Sequence, residues 1–237
     1  MTTLTIANKN YSSWSLRPWL LMTELGIPFR ERLLPFGDEA TWTAFRAEDG
    51  SGKVPALADG AVTVWDSLAI IEHLAEQYPA VWPQDPVARA WARSACAEMH
   101  SGFQALRDLC SMNIAITVRL TSLPQALEKD IQRITSLWHQ GLERFGGPYL
   151  AGDRFTAVDA FFAPVVFRFN TYGLSRSPVM ADYINRMLAQ PGMQAWAEAA
   201  LREPWQDPSH EAECLHIGEL VEDRRSAPAR PAEDAAQ

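Results

Sequence analysis

A serine-rich turn near the N-terminus, at residues 8–18, is the feature that most constrains the fold of this chain. An alternating apolar run precedes it, and an apolar run at helical spacing follows it. Proline is tolerated in the first turn of a helix, where its missing N–H has no intrahelical partner to lose. The pattern predicts a short strand ending near Ala7, a turn containing Ser12 and Ser13, and a helix with Pro18 in its first turn.

The two turn serines allow two interpretations. A hydroxyl just before a helix can accept hydrogen bonds from free backbone N–H groups and so cap the helix. The same free N–H groups also favour a bound anion, and a thiolate is one such anion. The residues of this turn leave both interpretations open.

Composition and charge exclude several classes of protein. The chain has 237 residues, of which 47% are hydrophobic and 21% charged, as in a globular protein of one large or two small domains. Its net charge of -8 argues against a general nucleic-acid or anionic-membrane binder. Without an apolar run of about 18 residues or a basic segment before an apolar core, we expect no transmembrane helix and no signal peptide.

The cysteines indicate a reducing environment. Cys96, Cys110 and Cys214 are far apart and odd in number, and no CxxC motif occurs. This usage argues against a disulfide framework, a zinc site and a dithiol redox motif. We therefore expect a cytoplasmic protein.

The first 80 residues read as strand, helix, strand, strand, strand, helix. Residues 29–34 form a second strand, which the handedness rule makes parallel to the first. Asp59-Gly60 between two short apolar runs is a strong hairpin signal. The other elements are predicted at residues 38–46 (helix), 48–52 (loop), 53–57 and 61–65 (strands), and from Asp66-Ser67 onward (helix). A small sheet with helices packed on it is the economical arrangement.

The second half is helical in pattern, with no convincing strand. Helices are predicted at residues 87–116 (one long helix or a broken pair), 125–145, 179–190 and 193–202. Thr156 and Asp159 have the spacing of a capping box, so we interpret Asp159 as structural. The predicted organisation is an N-terminal domain (1–79), a proline-rich linker (80–86), an all-helical domain (87–221) and a solvated tail (222–237).

Three features together carry a resemblance to a known family. The turn at Ser12, the Val54-Pro55 segment and the helix opening at Asp66-Ser67 occur in the order and spacing of the glutathione transferases, and the chain resembles that family over roughly residues 1–205. The resemblance implies a thioredoxin-like N-terminal domain followed by an α-helical bundle. The run from Ser12 to Arg17 is similar to bacterial members of the serine-type, zeta-like classes, which usually carry Cys where Trp14 stands here.

The resemblance also implies roles for individual residues. The glutathione thiol has an ordinary pKa near about 8.5, and a donating hydroxyl at a helix N-terminus can lower it. Ser12 matches the activating serine, with Ser13 as the nearest substitute. The implied glutathione-binding residues are Trp14, Arg17, Lys53, Val54, Pro55, Asp66 and Ser67.

These binding residues have specific implied partners and plain alternatives. Val54-Pro55 resembles a cis-proline corner whose backbone pairs with the tripeptide, and Lys53 can reach its glycine carboxylate. Ser67 suits the γ-glutamyl carboxylate and Asp66 the ammonium group. The alternatives are an edge-strand proline, a solvated lysine and an ordinary helix start.

An acceptor pocket is implied on the first helix of the second domain. The candidates on or after this helix are Glu98, Met99, His100, Arg107, Met112 and Asn113. The alternative is a structural histidine and core methionines.

The resemblance implies a glutathione transferase that attacks a small electrophile, as in detoxification. The alternatives are a glutathione-dependent isomerase of the maleylacetoacetate type, a dehalogenase, a peroxidase, or a non-catalytic binding module. A thiol–disulfide oxidoreductase is disfavoured because the N-terminal domain has no cysteine. A cytoplasmic homodimer that needs glutathione as co-substrate and no metal is expected.

Overall fold

The computed structural model describes residues 1–37, 39–49, 51–174 and 177–225. Its N-terminal part contains a four-stranded sheet in the order β2-β1-β3-β4. The strands are β1 (Thr3–Ile6), β2 (Arg30–Leu33), β3 (Ala56–Asp59) and β4 (Val62–Val64). β2 is parallel to β1, and β3 is antiparallel to both β1 and β4, so the predicted crossover and hairpin are confirmed. Gly60 in the hairpin turn has a φ of +63°, which favours glycine.

Three helices accompany this sheet. They are α1 (Ser13–Glu24), α2 (Glu39–Asp49) and α3 (Ser67–Gln77). Pro18 is the sixth residue of α1, so its predicted place in the first turn was wrong. The helix begins earlier because the carbonyl of Ser12 already accepts from the N–H of Leu16. α2 also extends into the segment predicted as a loop.

The C-terminal part is mainly helical, as predicted. Its helices are α4 (Pro86–Ser101), α5 (Gln104–Leu109), α6 (Gln125–Phe145), α7 (Ala157–Tyr172), α8 (Pro178–Leu188), α9 (Pro191–Arg202) and α10 (Pro208–Cys214). α4 and α5 are the broken pair, separated at Gly102 and Phe103, and α10 was not predicted. Within the described ranges, no helix is both long and apolar enough to cross a membrane.

Two strands in this part contradict the prediction of an all-helical domain. β5 (Ile116–Leu120) pairs antiparallel with β6 (Gly218–Asp223), about a hundred residues later in the chain. β6 crosses the predicted boundary at residue 221, so residues 222–223 are strand and not tail. The predicted tail from residue 226 onward lies outside the described residues. The predicted linker also packs, because Val81 and Trp82 are buried.

α7 is the central helix of the molecule, and nearly all of its residues are buried. It packs against α1 of the N-terminal part and against α4, α8 and β5. The capping box is confirmed, since the Asp159 carboxylate accepts from the N–H of Thr156 at 3.0 Å. α7 therefore fixes the N-terminus of α1 against the helical part, and this junction positions the site.

Candidate functional site

A cleft of about 650 Å³ lies between the sheet-containing part and the helical part. The N-termini of α1 and α3 and the segment before β3 form one wall, and α4, α5, α7 and α10 contribute the other. Most of the site residues predicted from sequence lie on its walls: Ser12, Ser13, Trp14, Lys53, Val54, Pro55, Asp66, Ser67, His100 and Arg107.

Ser12 stands at the N-cap position of α1, but its side chain makes no capping hydrogen bond in the described part of the chain. Its Oγ lies 2.7 Å from the Oγ of Ser15, with which it is hydrogen-bonded. The Ser15 Oγ in turn accepts from the N–H of Ala7 at 3.2 Å. The capping interpretation is thus not supported, and the Ser12 hydroxyl ends a short hydrogen-bond chain at the cleft wall.

The opposite end of this wall carries the cis-proline corner and the start of α3. The Val54–Pro55 peptide bond is cis. Asp66 caps α3 by accepting from the N–H groups of Leu68 and Ala69. The Ser67 hydroxyl is therefore not needed for capping. It is buried, lines the cleft and has no partner among the described residues.

His100 links the two parts of the molecule across the cleft. Its Nε2 lies 3.0 Å from Oδ2 of Asp66. Burial lowers the pKa of His100, and the positive charges of Arg17 and Arg107 oppose the influence of Asp66.

Arg17 is fully buried and does not line the cleft, so its predicted contact with glutathione is corrected. Its guanidinium lies 4.1 Å from the ring centre of Trp14 and 4.7 Å from that of Phe161. The three guanidinium nitrogens have no hydrogen-bond partner in the described residues. Burial lowers the pKa of Arg17 well below its ordinary value, and repulsion from Arg107 and Arg168 adds to this effect. The reason for the correction is helical geometry, since residue 17 lies on the inner side of α1.

Two further arginines line the cleft on the helical side. Arg107 lies over Trp14 at 4.6 Å and donates to the carbonyl oxygens of Gly102 and Met99. Arg168 on α7 donates to the carbonyl of Cys110 at 2.8 Å. The Nη1 of Arg168 is buried without a partner in the part of the chain that the structure describes. These groups make this end of the cleft positive.

Four predicted pocket residues do not line the cleft, and one of them, Glu98, pairs instead with Arg133 on α6. Met99 and Met112 lie in the hydrophobic core, and Asn113 is fully buried. The Asn113 side chain accepts from Asn10 at 2.9 Å and donates to Glu211 at 3.2 Å. The prediction was wrong for these residues because neighbouring positions face opposite sides of the chain: His100 reaches the cleft, whereas Met99 points into the core.

Other residues of the cleft were missed: Tyr11, Phe36, Trp42, Phe45, Ser51, Gly52, Trp65, Gln104, Ser111, Arg168 and His210. Many are aromatic, and the abundance of tryptophan was the available signal. Arg168 had a second signal, because it is the one basic residue of a mainly apolar helix.

The three cysteines do not supply a nucleophile. All are buried, and none lines the cleft. Burial raises the pKa of Cys110 to about 12, raises that of Cys96 well above its ordinary value, and also raises that of Cys214. Any thiolate chemistry at this cleft therefore needs a thiol from a bound molecule.

Comparisons with known proteins agree with this geometry. The family model described as "Glutathione S-transferase, N-terminal domain" matches residues 11–77, and "Glutathione S-transferase, C-terminal domain" matches residues 88–199. A "Probable maleylacetoacetate isomerase" of Caenorhabditis elegans is 26% identical over 181 residues, covering 75% of this chain and 85% of that protein. The "Maleylacetoacetate isomerase" of Rattus norvegicus is 28% identical over 183 residues, covering 75% of this chain and 83% of that protein.

The fold is also found among solved structures. A glutathione transferase homolog from Burkholderia, with bound glutathione, superimposes with a TM-score of 0.63 at 23% identity, covering 84% of this chain and 97% of that chain. The theta class glutathione S-transferase from Xanthomonas axonopodis, with glutathione bound, superimposes with a TM-score of 0.62 at 24% identity, covering 83% of this chain and 96% of that chain. The chain therefore belongs to the glutathione S-transferase family, as a zeta-like member.

Proposed function

We propose that this protein binds glutathione along the Ser12, Val54 and Ser67 wall of the cleft and directs its thiolate at a small electrophile. The observation that carries the proposal is the convergence of three groups on one cleft: the Ser12 hydroxyl, the cis Val54–Pro55 corner and the Ser67 hydroxyl, which has no partner in the described part of the chain. The bound glutathione in the Burkholderia structure supports the same ligand here.

The proposed orientation of the tripeptide follows from charge and hydrogen-bond chemistry. The Ser67 hydroxyl and the N-terminus of α3 receive the γ-glutamyl carboxylate, because both offer donors to an anion. The Asp66 Oδ2, which also contacts His100 Nε2 at 3.0 Å, accepts from the ammonium group. The backbone of Val54 pairs with the tripeptide as an added strand, and the exposed Lys53 reaches the glycine carboxylate.

Stabilisation of the thiolate rests on the serine chain. Without glutathione, the Ser12 hydroxyl donates to the Ser15 Oγ, which also accepts from the N–H of Ala7. When sulfur is bound, the Ser12 proton turns toward it, and the Ser15 hydroxyl can donate to Ser12 in its place. The Ser12 hydroxyl then donates to sulfur, and the partial positive charge at the N-terminus of α1 acts in the same direction. Each unit by which the thiol pKa falls corresponds to about 1.4 kcal/mol. The sulfur then forms a bond to the electrophilic carbon.

The acceptor is proposed to carry an anionic group. The Arg168 Nη1 has no partner among the residues that the structure describes, and Arg107 lies on the same wall. A carboxylate there would receive charge-assisted hydrogen bonds. This observation favours one second candidate, a glutathione-dependent isomerisation of the maleylacetoacetate type, for which the two isomerase relatives are named.

Calorimetric titration with glutathione, followed by turnover of 1-chloro-2,4-dinitrobenzene and of maleylacetoacetate, tests the proposal. Wild type should bind glutathione, and Ser67→Ala should lose at least about tenfold in affinity, since one charged hydrogen bond is worth about 1.5–3 kcal/mol. Ser94→Ala, at an exposed position on α4, is the matched control. Absence of glutathione binding contradicts the proposal, and binding without turnover favours a non-catalytic module.

We also propose that the protein acts in detoxification as a cytoplasmic homodimer, as the family resemblance implies. Light scattering at low protein concentration should give twice the chain mass of 26.5 kDa. A monomer at all concentrations would contradict the dimer.

A further inference from the structure

The segment after α9, which lies beyond the residues matched by the family models, folds back over the N-terminal part. The Glu203 carboxylate accepts from the N–H groups of Lys9 and Asn10, at 2.6 and 3.3 Å. The Tyr11 hydroxyl donates to Glu211 at 2.5 Å. These bonds fix the segment to the same turn that carries the catalytic serine candidates.

This attachment places an imidazole on the cleft wall. The ring of His210 is stacked between those of Tyr11 and Phe36, with ring centres 5.1 and 5.2 Å apart. Its Nδ1 lies 3.1 Å from Oδ1 of Asp207, a charge contact without the alignment of a hydrogen bond, and the same oxygen accepts from the backbone N–H of His210 at 3.1 Å. Nε2 has no protein partner within the described ranges, and His210 lines the cleft. A carboxylate beside one ring nitrogen fixes the orientation of an imidazole.

Among the groups described around the His210 ring, Asp207 is the charged group in contact with it. Phe36 is apolar, and burial raises the pKa of Tyr11 to about 12, so its phenol stays neutral. The Glu211 carboxylate accepts from the Tyr11 hydroxyl and forms an ion pair with Arg225, whose Nη1 lies 2.6 Å from the Glu211 Oε1. Although burial acts in the opposite direction, hydrogen bonds from His210 hold the pKa of Asp207 below its ordinary value.

We propose that His210, oriented by Asp207, donates a proton during addition of glutathione to α,β-unsaturated carbonyl compounds. This inference rests on the proposed function. The thiolate sulfur forms a bond to the β-carbon, and the π electrons of the C=C bond move to form an enolate. His210 transfers the Nε2 proton to the α-carbon and regains a proton from solvent. An aryl halide expels halide and needs no such proton, so it distinguishes the two kinds of acceptor.

The test compares kcat for an enone, trans-4-phenyl-3-buten-2-one, with kcat for 1-chloro-2,4-dinitrobenzene. General acid catalysis contributes about 10²–10⁴-fold, so the enone to aryl halide ratio should fall at least about tenfold in His210→Gln. Asp207→Asn should lower the same ratio by a smaller factor. Added imidazole should restore enone turnover in His210→Gly. His216→Gln changes an exposed histidine of the same segment and is the control.

The outcomes separate the two proposals. Failure of wild type to bind glutathione overturns the proposed function and this inference with it. If wild type binds glutathione and turns over the aryl halide but not the enone, only the inference is overturned. An unchanged ratio in His210→Gln, or a loss that added imidazole does not restore, also overturns it, because a purely structural histidine would give either result.

Discussion

Replacing Arg17 with methionine is expected to stabilise the protein while weakening its hold on a bound anion. The Arg17 guanidinium is completely buried between two rings, and its nitrogens find no partner in the described residues. Burial of an ion costs several kcal/mol even after relaxation. The cation–π contacts with Trp14 and Phe161 each stabilise the buried guanidinium by about 2 kcal/mol. Repulsion from Arg107 and Arg168 opposes this stabilisation.

Methionine keeps the apolar packing and contacts aromatic rings favourably, by about 0.3–1.5 kcal/mol each. The free energy of unfolding should therefore rise by about 1–3 kcal/mol, within the range observed when buried charges are replaced by apolar groups. The positive charge of Arg17 would then be retained for function at a cost in stability. Loss of that charge beside the cleft should raise the pKa of a bound glutathione thiol.

Urea denaturation of the protein without ligand measures the first effect. Arg17→Lys keeps a buried charge and should show no stabilisation, and Arg30→Met removes an exposed arginine as a control. Should Arg17→Met lower the free energy of unfolding by about 1 kcal/mol or more, which is about a fivefold change in the unfolding equilibrium constant, the reasoning about its buried charge is refuted.

Two further predictions concern the scaffold. Asp159→Ala leaves four donors without their acceptor, the N–H groups of Leu150 and Thr156 and the hydroxyls of Thr156 and Tyr183, and should cost about 3–6 kcal/mol at low pH. Because burial raises the pKa of Asp159 from 3.8 to about 6, the native state keeps a proton that the unfolded state loses. The contribution of this group to the free energy of unfolding therefore falls as the pH rises from about 4 to 6. The difference in unfolding free energy between wild type and Asp159→Ala, measured by urea titration at each pH, should narrow by up to about 3 kcal/mol over this range. A difference that stays constant with pH contradicts this prediction. Gly141→Ala would place a Cβ 2.5 Å from Trp91, so its melting temperature should fall with a loss of about 1–3 kcal/mol; an unchanged melting temperature contradicts the clash.

Local sequence signals were sufficient to predict several of the elements that position the cleft. Three of them depend on residues within four positions of one another: the hairpin at Asp59-Gly60, the start of α3 at Asp66, and the capping box of Thr156 and Asp159. Their physical causes, turn geometry and capping, act over that same distance, and this is why sequence alone could predict them.

The remainder depended on contacts between distant residues. β5 finds its partner about a hundred residues later, and His210 reaches the cleft only because Glu203 and Glu211 attach its segment to residues 9–11. Helical periodicity indicated that α4 has a buried face, but not whether that face packs against the core or lines the cleft. The sequence therefore could not show that Met99 lies in the core and His100 lines the cleft. Pro18 was misplaced because the extent of α1 is set by tertiary packing more than by its sequence.

The central claim is that the Ser12 hydroxyl stabilises the thiolate of bound glutathione. Titration of the ultraviolet thiolate absorbance of the saturated complex measures this directly. In wild type the thiol pKa should lie at least about one unit below the ordinary value of about 8.5, and Ser12→Ala should return it toward that value. Ser13→Ala should have the smaller effect. An equal thiol pKa in wild type and Ser12→Ala would contradict the account.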